Sequence, residues 1–304
     1  MQSSAEFVLK ENGVEARASR TGSSVTIRGP EPLGVAATLE FMPGVAWIAV
    51  GGSCSSGREL SEMAGALARK YVRRGERFAV EAEGAGRIVA TDIRGSITSR
   101  ILESVRGSRV SIESPKVRFR AVFDGVRGVV GVEVKRGPGG VPTGGESVAC
   151  LVSGGRHSSV LAWYAVLLGF RVRLVHARFS DESLRAVAGL YAELSHRADP
   201  RWLSLEVLEG GSILGILSGY VETSEVPVYG GFSSYSREGL NRLLKVLSPL
   251  YLMPEETFQA EFEAVGIKSF DSPEDWDKEG LSEPAARRFG GKAADVSDVL
   301  DGLM

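Results

Sequence analysis

Ser147-Val148-Ala149-Cys150-Leu151-Val152-Ser153-Gly154-Gly155-Arg156-His157-Ser158-Ser159 reads as a buried strand, a glycine turn and the start of a helix. The apolar run 148–152 is strand-like, Ser153-Gly154-Gly155 breaks it, and Ser158 or Ser159 is expected to cap an apolar helix over 160–170. A strand feeding a glycine-rich loop and a helix N-terminus suits phosphate, because glycines let backbone N–H groups approach and the helix end favours an anion. The same pattern also serves any tight β–α turn. It is not a Walker A loop, since G-x-x-x-x-G-K-[ST] is absent.

Working outward, residues 147–268 alternate strand and helix, the mark of a parallel sheet with crossover helices. Strands are expected at 171–176, 202–208 and 226–229, and helices at 182–196, 212–221, 237–246 and 255–265. Ligands of such sheets sit beyond the strand C-termini, which groups 153–159, the region after His176 and 230–234 around one crevice. The Gly/Pro-rich stretch 137–146 reads as a linker. Before it stand two α+β units, 1–55 and 56–136. In the first, strands are expected at 7–9, 14–18, 24–28 and 45–50, and a helix at 33–41. In the second, helices are expected at 59–73 and 92–105, and strands at 77–82, 117–123 and 129–134. Residues 269–304 show little periodicity and read as a loosely packed or partly disordered acidic tail.

The 304 residues carry a formal net charge of −2 that hides a division. Residues 70–136 hold 15 basic against 8 acidic side chains, whereas 255–304 hold 5 against 13. A basic module beside an acidic tail suggests a polyanion partner for the former, with a solvated surface as the bland alternative. Arg118 and Arg120 fall on one face of an alternating strand, and with Lys135 and Arg136 they are the candidates for phosphate contact. No run of 18 apolar residues occurs, so no membrane span is expected. The N-terminus lacks a signal-peptide pattern, which points to the cytoplasm. Amides are scarce, Gln2, Asn12, Asn241 and Gln259 only, a thermophile signal. Cys54 and Cys150 form no metal-binding motif, and His176 and His196 are too few and too scattered for zinc. Cys150, Trp163 and Tyr164 read as core, Cys54 as a loop residue, and His157 as a structural substitution rather than a catalytic base.

Gly137-Pro138-Gly139-Gly140-Val141-Pro142 leading into Leu151-Val152-Ser153-Gly154-Gly155 resembles the tRNA 4-thiouridine synthetases (tRNA sulfurtransferases), in which such a linker precedes an SGGxDS PP-loop. The resemblance covers roughly 1–268. It implies an α/β chain with a ferredoxin-like module at 1–55, an RNA-binding THUMP-like module at 56–136, a linker at 137–146 and a parallel-sheet PP-loop domain (adenine nucleotide hydrolase-like) at 147–268, with the acidic tail at 269–304. It implies ATP with Mg²⁺ as nucleotide, tRNA or other structured RNA as partner, and uridine adenylation followed by sulfur transfer from a persulfide. By position, Ser153, Gly154, Gly155, Arg156, His157 and Ser158 are the nucleotide-binding candidates.

The chain departs from the pattern at the chemistry. His157 stands for the loop aspartate and Ser159 for a proline. Tyr229-Gly230-Gly231-Phe232 replaces a Thr-Gly-Glu segment, Glu81 and Glu83 stand where basic residues often follow, and no cysteine lies beyond Cys150. A neutral or cationic ring removes a hard-cation ligand, and a sulfur carrier needs a thiolate. The expectation is therefore an RNA-binding protein with a degenerate PP-loop, no iron–sulfur cluster and no zinc, with catalytic residues unassigned. A homodimer is compatible with it. The competing readings are an active ATP-dependent tRNA-thiolating enzyme fed by sulfide or a partner protein, and a nucleotide sensor with no RNA role.

Overall fold

The structure, a computed structural model, describes residues 1–21, 24–142, 144–231, 246–247, 249, 253–265, 285–290 and 296–303. The chain divides into two compact units, one of Met1–Glu40 with Val45–Pro138, the other of Phe41–Gly44 with Gly139–Met304.

The first unit opens with α1 (Gln2–Glu11), a hairpin of β1 (Arg17–Thr21) and β2 (Ser24–Arg28), and α2 (Pro32–Leu39). Residues 7–9, expected as a strand, lie inside α1. Ser4, Ala5, Val8 and Leu9 are its buried residues, a helical stripe that the short apolar run conceals. The strand expected at 14–18 begins later, at Arg17. β3 (Val45–Cys54) is read from sequence with residues 1–55, but it forms one edge of the larger sheet. That sheet continues through α3 (Gly57–Tyr71), β4 (Arg77–Gly84), α4 (Arg87–Ser104), β5 (Arg109–Val110), β6 (Val117–Phe123) and β7 (Gly128–Gly139), in the order β3-β7-β6-β4-β5. Cys54, expected in a loop, ends β3 and is buried. The core lies on one sheet face under α3 and α4. Leu60, Ala64, Ile97 and Ile101 pack there on Phe78 and Phe119, whose rings meet edge-on at 6.2 Å.

The second unit runs β8 (Ser147–Leu151), α5 (Arg156–Leu167), β9 (Arg171–Ala177), α6 (Asp181–Arg197), a 3-10 turn (Pro200–Trp202), β10 (Leu203–Glu209), α7 (Ile213–Thr223), β11 (Val228–Gly230), α8 (Glu255–Val265), β12 (Ala285–Gly290) and α9 (Val296–Leu303). The sheet order is β11-β8-β9-β10-β12, with the first four strands parallel and β12 antiparallel to β10. One face buries Cys150, Leu174 and Leu205 with Trp163, Val187 and Tyr191 of α5 and α6; the other buries Val175 and Val228 with Ile213 and Leu217 of α7. Two parts of the sequence reading of this unit need correction. The tail is packed where described: β12 closes the sheet edge through backbone pairing, which needs no side-chain periodicity, and Leu300 of α9 packs on the core. The linker begins inside β7, so 137–139 are strand. The helix expected at 237–246 lies, for 237–245, outside the described residues, as do 232–234.

The linker owes its glycines to α5. Val141 donates its N–H to the Leu167 carbonyl at 2.8 Å, and Gly145 donates to Gly169 at 2.9 Å, so the linker satisfies acceptors at the end of α5. Gly140 sits at φ +78°, and a Cβ there would stand 2.2 Å from the Leu167 carbonyl oxygen. Residues 41–44 join the same unit. Gly44 donates to the Gly139 carbonyl, and the Arg197 guanidinium lies 4.7 Å from the Phe41 ring and 5.7 Å from the Trp163 ring. Gly140→Ala is expected to lower the free energy of unfolding by at least about 1–3 kcal/mol, through left-handed strain and the clash together. Urea unfolding measures it, and an unchanged midpoint contradicts the role of this glycine.

Candidate functional site

The strands place the site. From β8 the chain moves one way across the sheet through β9 and β10, then α7 returns it to β11 on the other side of β8. The order reverses between β8 and β11, and ligands of such sheets bind at that reversal, beyond the carboxyl ends of the strands. The loop Ser153-Gly154-Gly155 leaves β8 there. Gly154 sits at φ +86°, and a Cβ on it would come within 2.5 Å of Ala186 Cβ on α6. A Cβ on Gly231, just past β11, would stand 2.6 Å from the backbone of His157 and Ser158. The turn is thus closely packed on both sides.

The helix start differs from the expected one. α5 begins at Arg156 with Gly155 as its N-cap, so Ser158 and Ser159 fall within the first turn and donate their hydroxyls to the Gly155 carbonyl, each at 3.0 Å. Ser158 Oγ also accepts the Ser153 N–H at 3.3 Å, and Ser153 Oγ accepts the Gly155 N–H at 3.4 Å. No side chain caps α5, whereas Ser180 caps α6 and Ser212 caps α7. An α5 terminus ending in a glycine turn presents its positive end to an anion. Ser153, Gly154, Gly155 and Ser158 therefore come together as one hydrogen-bonded loop. Arg156 and His157 belong to the same turn, but their side chains engage α8. Arg156 Nη1 donates to Gln259 Oε1 at 2.9 Å, and the His157 ring stacks on Phe258 with centroids 4.0 Å apart.

Next to the loop, His176, near the end of β9, has no exposed surface. Its Nδ1 lies 2.9 Å from the Val152 carbonyl and its Nε2 3.2 Å from Ser183 Oγ. In the neutral ring Nδ1–H donates to Val152 and Nε2 is the acceptor. Burial pushes its pKa down to about 4, against the pull of the Val152 bond and helped by Arg178. Arg178, which sequence reading passes over, stands between two carboxylates, Glu209 Oε1 at 2.6 Å and Asp181 Oδ1 at 2.7 Å. Its hydrogen bond holds Asp181 below the usual carboxylate range. Among the described residues no group of three His, Cys, Asp or Glu could hold a metal ion. Both cysteines are free and buried, and burial raises both thiols, Cys150 to about 12.

The basic unit carries a second candidate surface. Arg118 and Arg120 do share a sheet face, but both pair with Glu81 and with Glu133; Arg120 Nη2 is 2.7 Å from Glu133 Oε2. Arg120 also lies over the Trp47 ring at 4.9 Å. Arg136 pairs with Glu133 at 3.0 Å and Lys135 with Glu40 at 2.7 Å. Each of the four expected contacts thus has a carboxylate partner, which alternation along one strand does not reveal. Arg73, Arg74, Arg77, Arg106, Arg109 and Lys116 are exposed and form no ion pair among the described residues. They meet at one end of the sheet. Arg77 and Arg109 are register partners, Lys116 donates its N–H to the Arg77 carbonyl at 2.8 Å, and a Cβ built on Gly107 would stand 4.0 Å from Arg74 Cγ. Exposed Val110 and Ile112 lie beside them. Only the β4–β5–β6 register collects residues so far apart in sequence.

No protein-family model matches the chain. Over 103 residues it is 34% identical to a tRNA sulfurtransferase of Pyrobaculum aerophilum, covering 34% of this chain and 21% of that protein. Over 176 residues it is 27% identical to a probable tRNA sulfurtransferase of Bacillus velezensis, covering 56% of this chain and 44% of that one. The chain therefore spans less than half the length of these relatives. A solved 4-thiouridine synthetase, in complex with RNA and bound ATP, superposes with a TM-score of 0.65 at 17% identity over 98% of this chain and 87% of the other. That likeness extends the shared architecture along nearly the whole chain. Among the described residues no helix is long and apolar enough to cross a membrane.

His176 makes a pH prediction. Its ordinary pKa of 6.5 falls to about 4 in the folded protein, so the unfolded chain takes up a proton first as pH drops. Stability is then complete above pH 6.5 and declines by about 3 kcal/mol towards pH 4 on this account. Urea unfolding at stepped pH checks it, and His176→Gln should flatten the decline.

Proposed function

We infer that this relative of the tRNA sulfurtransferases binds RNA through its basic module and a nucleotide phosphate at the 153–158 loop, without supplying sulfur from Cys54 or Cys150. The observation that carries the reading is the split at the site: the glycine loop and uncapped α5 keep what a phosphate needs, while Cys150 is sealed in the core and protonated at neutral pH. Thiol–persulfide chemistry starts from a thiolate that a donor can reach. Cys54 is buried as well.

The solved relative with RNA and ATP supports both ligands. In this reading residues 1–55 are the ferredoxin-like module, 56–136 the THUMP-like module, and 147–268 the PP-loop domain joined by 137–146. The triphosphate of ATP lies against the backbone of Ser153, Gly154 and Gly155 and the positive end of α5, with Ser158 holding the loop closed behind it. The loop itself offers a Mg²⁺ ion no carboxylate, and Arg178 engages Asp181 at the start of α6 and Glu209 at the end of β10, which leaves the exposed Glu182 beside Asp181 as an acid without an ion pair among the described residues. RNA phosphates meet the unpaired cations Arg73, Arg74, Arg77, Arg106, Arg109 and Lys116. Arg118, Arg120, Lys135 and Arg136 serve as further contacts, which phosphate reaches only by exchanging a carboxylate.

Calorimetry with ATP, with and without tRNA, tests the nucleotide half. ATP is expected to bind equally with Mg²⁺ or with EDTA, and Ser153→Ala to weaken it. Turnover of ATP that depends on tRNA would instead establish the active enzyme. Titrating tRNA at increasing salt tests the other half. The triple variant Arg73→Ala, Arg74→Ala, Arg106→Ala should reduce the slope of log affinity against log salt by about three, one for each phosphate no longer neutralised. An unchanged slope removes this surface from RNA binding.

A further inference from the structure

The two side chains of the loop that could carry positive charge, Arg156 and His157, occupy the first two positions of α5 and are both held by α8. Phe258 lies 1% exposed, with its ring nearly parallel to the His157 imidazole (10°) and to the Phe262 ring, whose centroid is 6.3 Å away. It also packs with Val160 and Leu161, the next turn of α5. Beside it Gln259 accepts from Arg156 and donates to Glu263, so its amide is fixed at both ends. Gly231, just past β11, leaves no room for a Cβ against His157 and Ser158. The start of α5 is therefore in contact with both the chain leaving β11 and α8.

We propose that α8 is the brace that sets the phosphate loop, with His157 and Phe258 as positioning residues rather than ligands. This rests on the reading that the loop takes phosphate. A helix N-terminus binds an anion only as well as its first N–H groups are aimed, and those of α5 are aimed by whatever fixes its opening turn. In this chain that turn is fixed by an aromatic stack and an arginine–amide bond from a helix about 100 residues later. His157 thereby substitutes a packing contact for the charge of a carboxylate. The loop keeps its geometry without a metal, and Arg156 and His157 hold the protein side of the turn while the backbone faces the anion.

The test uses the full chain, inorganic pyrophosphate as probe and the histidine ring protons as an internal reporter. Three histidines give three Cε1–H signals by NMR, and His157→Asn identifies the relevant one. In the wild type that signal should be shifted upfield by the Phe258 ring, and Phe258→Leu should return it towards the free-histidine position. Phe258→Leu should also weaken pyrophosphate by at least about threefold, the worth of a lost aromatic pair, while Phe258→Trp restores both the shift and the affinity. A wild-type His157 signal without the shift overturns the brace. So does a Phe258→Leu variant that loses the shift but binds pyrophosphate as the wild type does. Wild-type protein that shows the shift yet binds no pyrophosphate overturns the phosphate reading of the loop, and the inference with it.

Discussion

The structure depends on one steric constraint, the close approach of backbone around a strand-to-helix turn at the reversal of the sheet. Gly154 turns the chain in a left-handed conformation against Ala186, and Gly231 brings the end of β11 onto the first turn of α5. Neither contact tolerates a side chain. The first follows from the crossover helix between β9 and β10, the second from the crossover that carries the chain from β10 back beside β8. The core on either face then has only to hold the strands in register, which the buried runs of β8, β9 and β10 do. The hydrogen bonds among Ser153, Gly155 and Ser158 close the turn on itself, so its shape is present before any ligand arrives.

Legibility follows the range of the determining interactions. The α/β class is readable from alternating patterns, and the loop from its glycines, because each rests on neighbours in sequence. β2, β4, β6, β9 and β10 match their expected spans within a residue or two for the same reason. α1 escapes the pattern because Phe7-Val8-Leu9 satisfies a strand locally, while its helical stripe needs Ser4 and Ala5 as buried residues. β12 is invisible because an edge strand paired through its backbone leaves no side-chain signature. At the site, the identity of the loop residues is legible but the direction of their side chains is not. Nothing local announces that His157 faces Phe258, or that Arg178 stands between Asp181 and Glu209.

Charge tells a similar story. A count over 70–136 finds the excess of cations but treats them all alike. The sheet sorts them. Those in the middle strands meet Glu81 and Glu133 and form a network whose field largely cancels, while those at the β4–β5 end are exposed and form no ion pair among the described residues. Exposed like charges in register repel and cost stability. Their concentration at one end is a feature that folding alone does not favour.

Phe41–Gly44 belongs with the second unit although it lies between α2 and β3 of the first. The polypeptide therefore passes from one unit to the other three times, and the glycine linker is only the last of these passages. A fragment cut there would carry β8 through α9 yet lack the Phe41 ring beside Arg197 and the Gly44 N–H bonded to Gly139. The two units are thus not interchangeable cassettes. Any recombination that moved the second unit to another scaffold would have to transplant this four-residue clasp from a distant part of the gene as well.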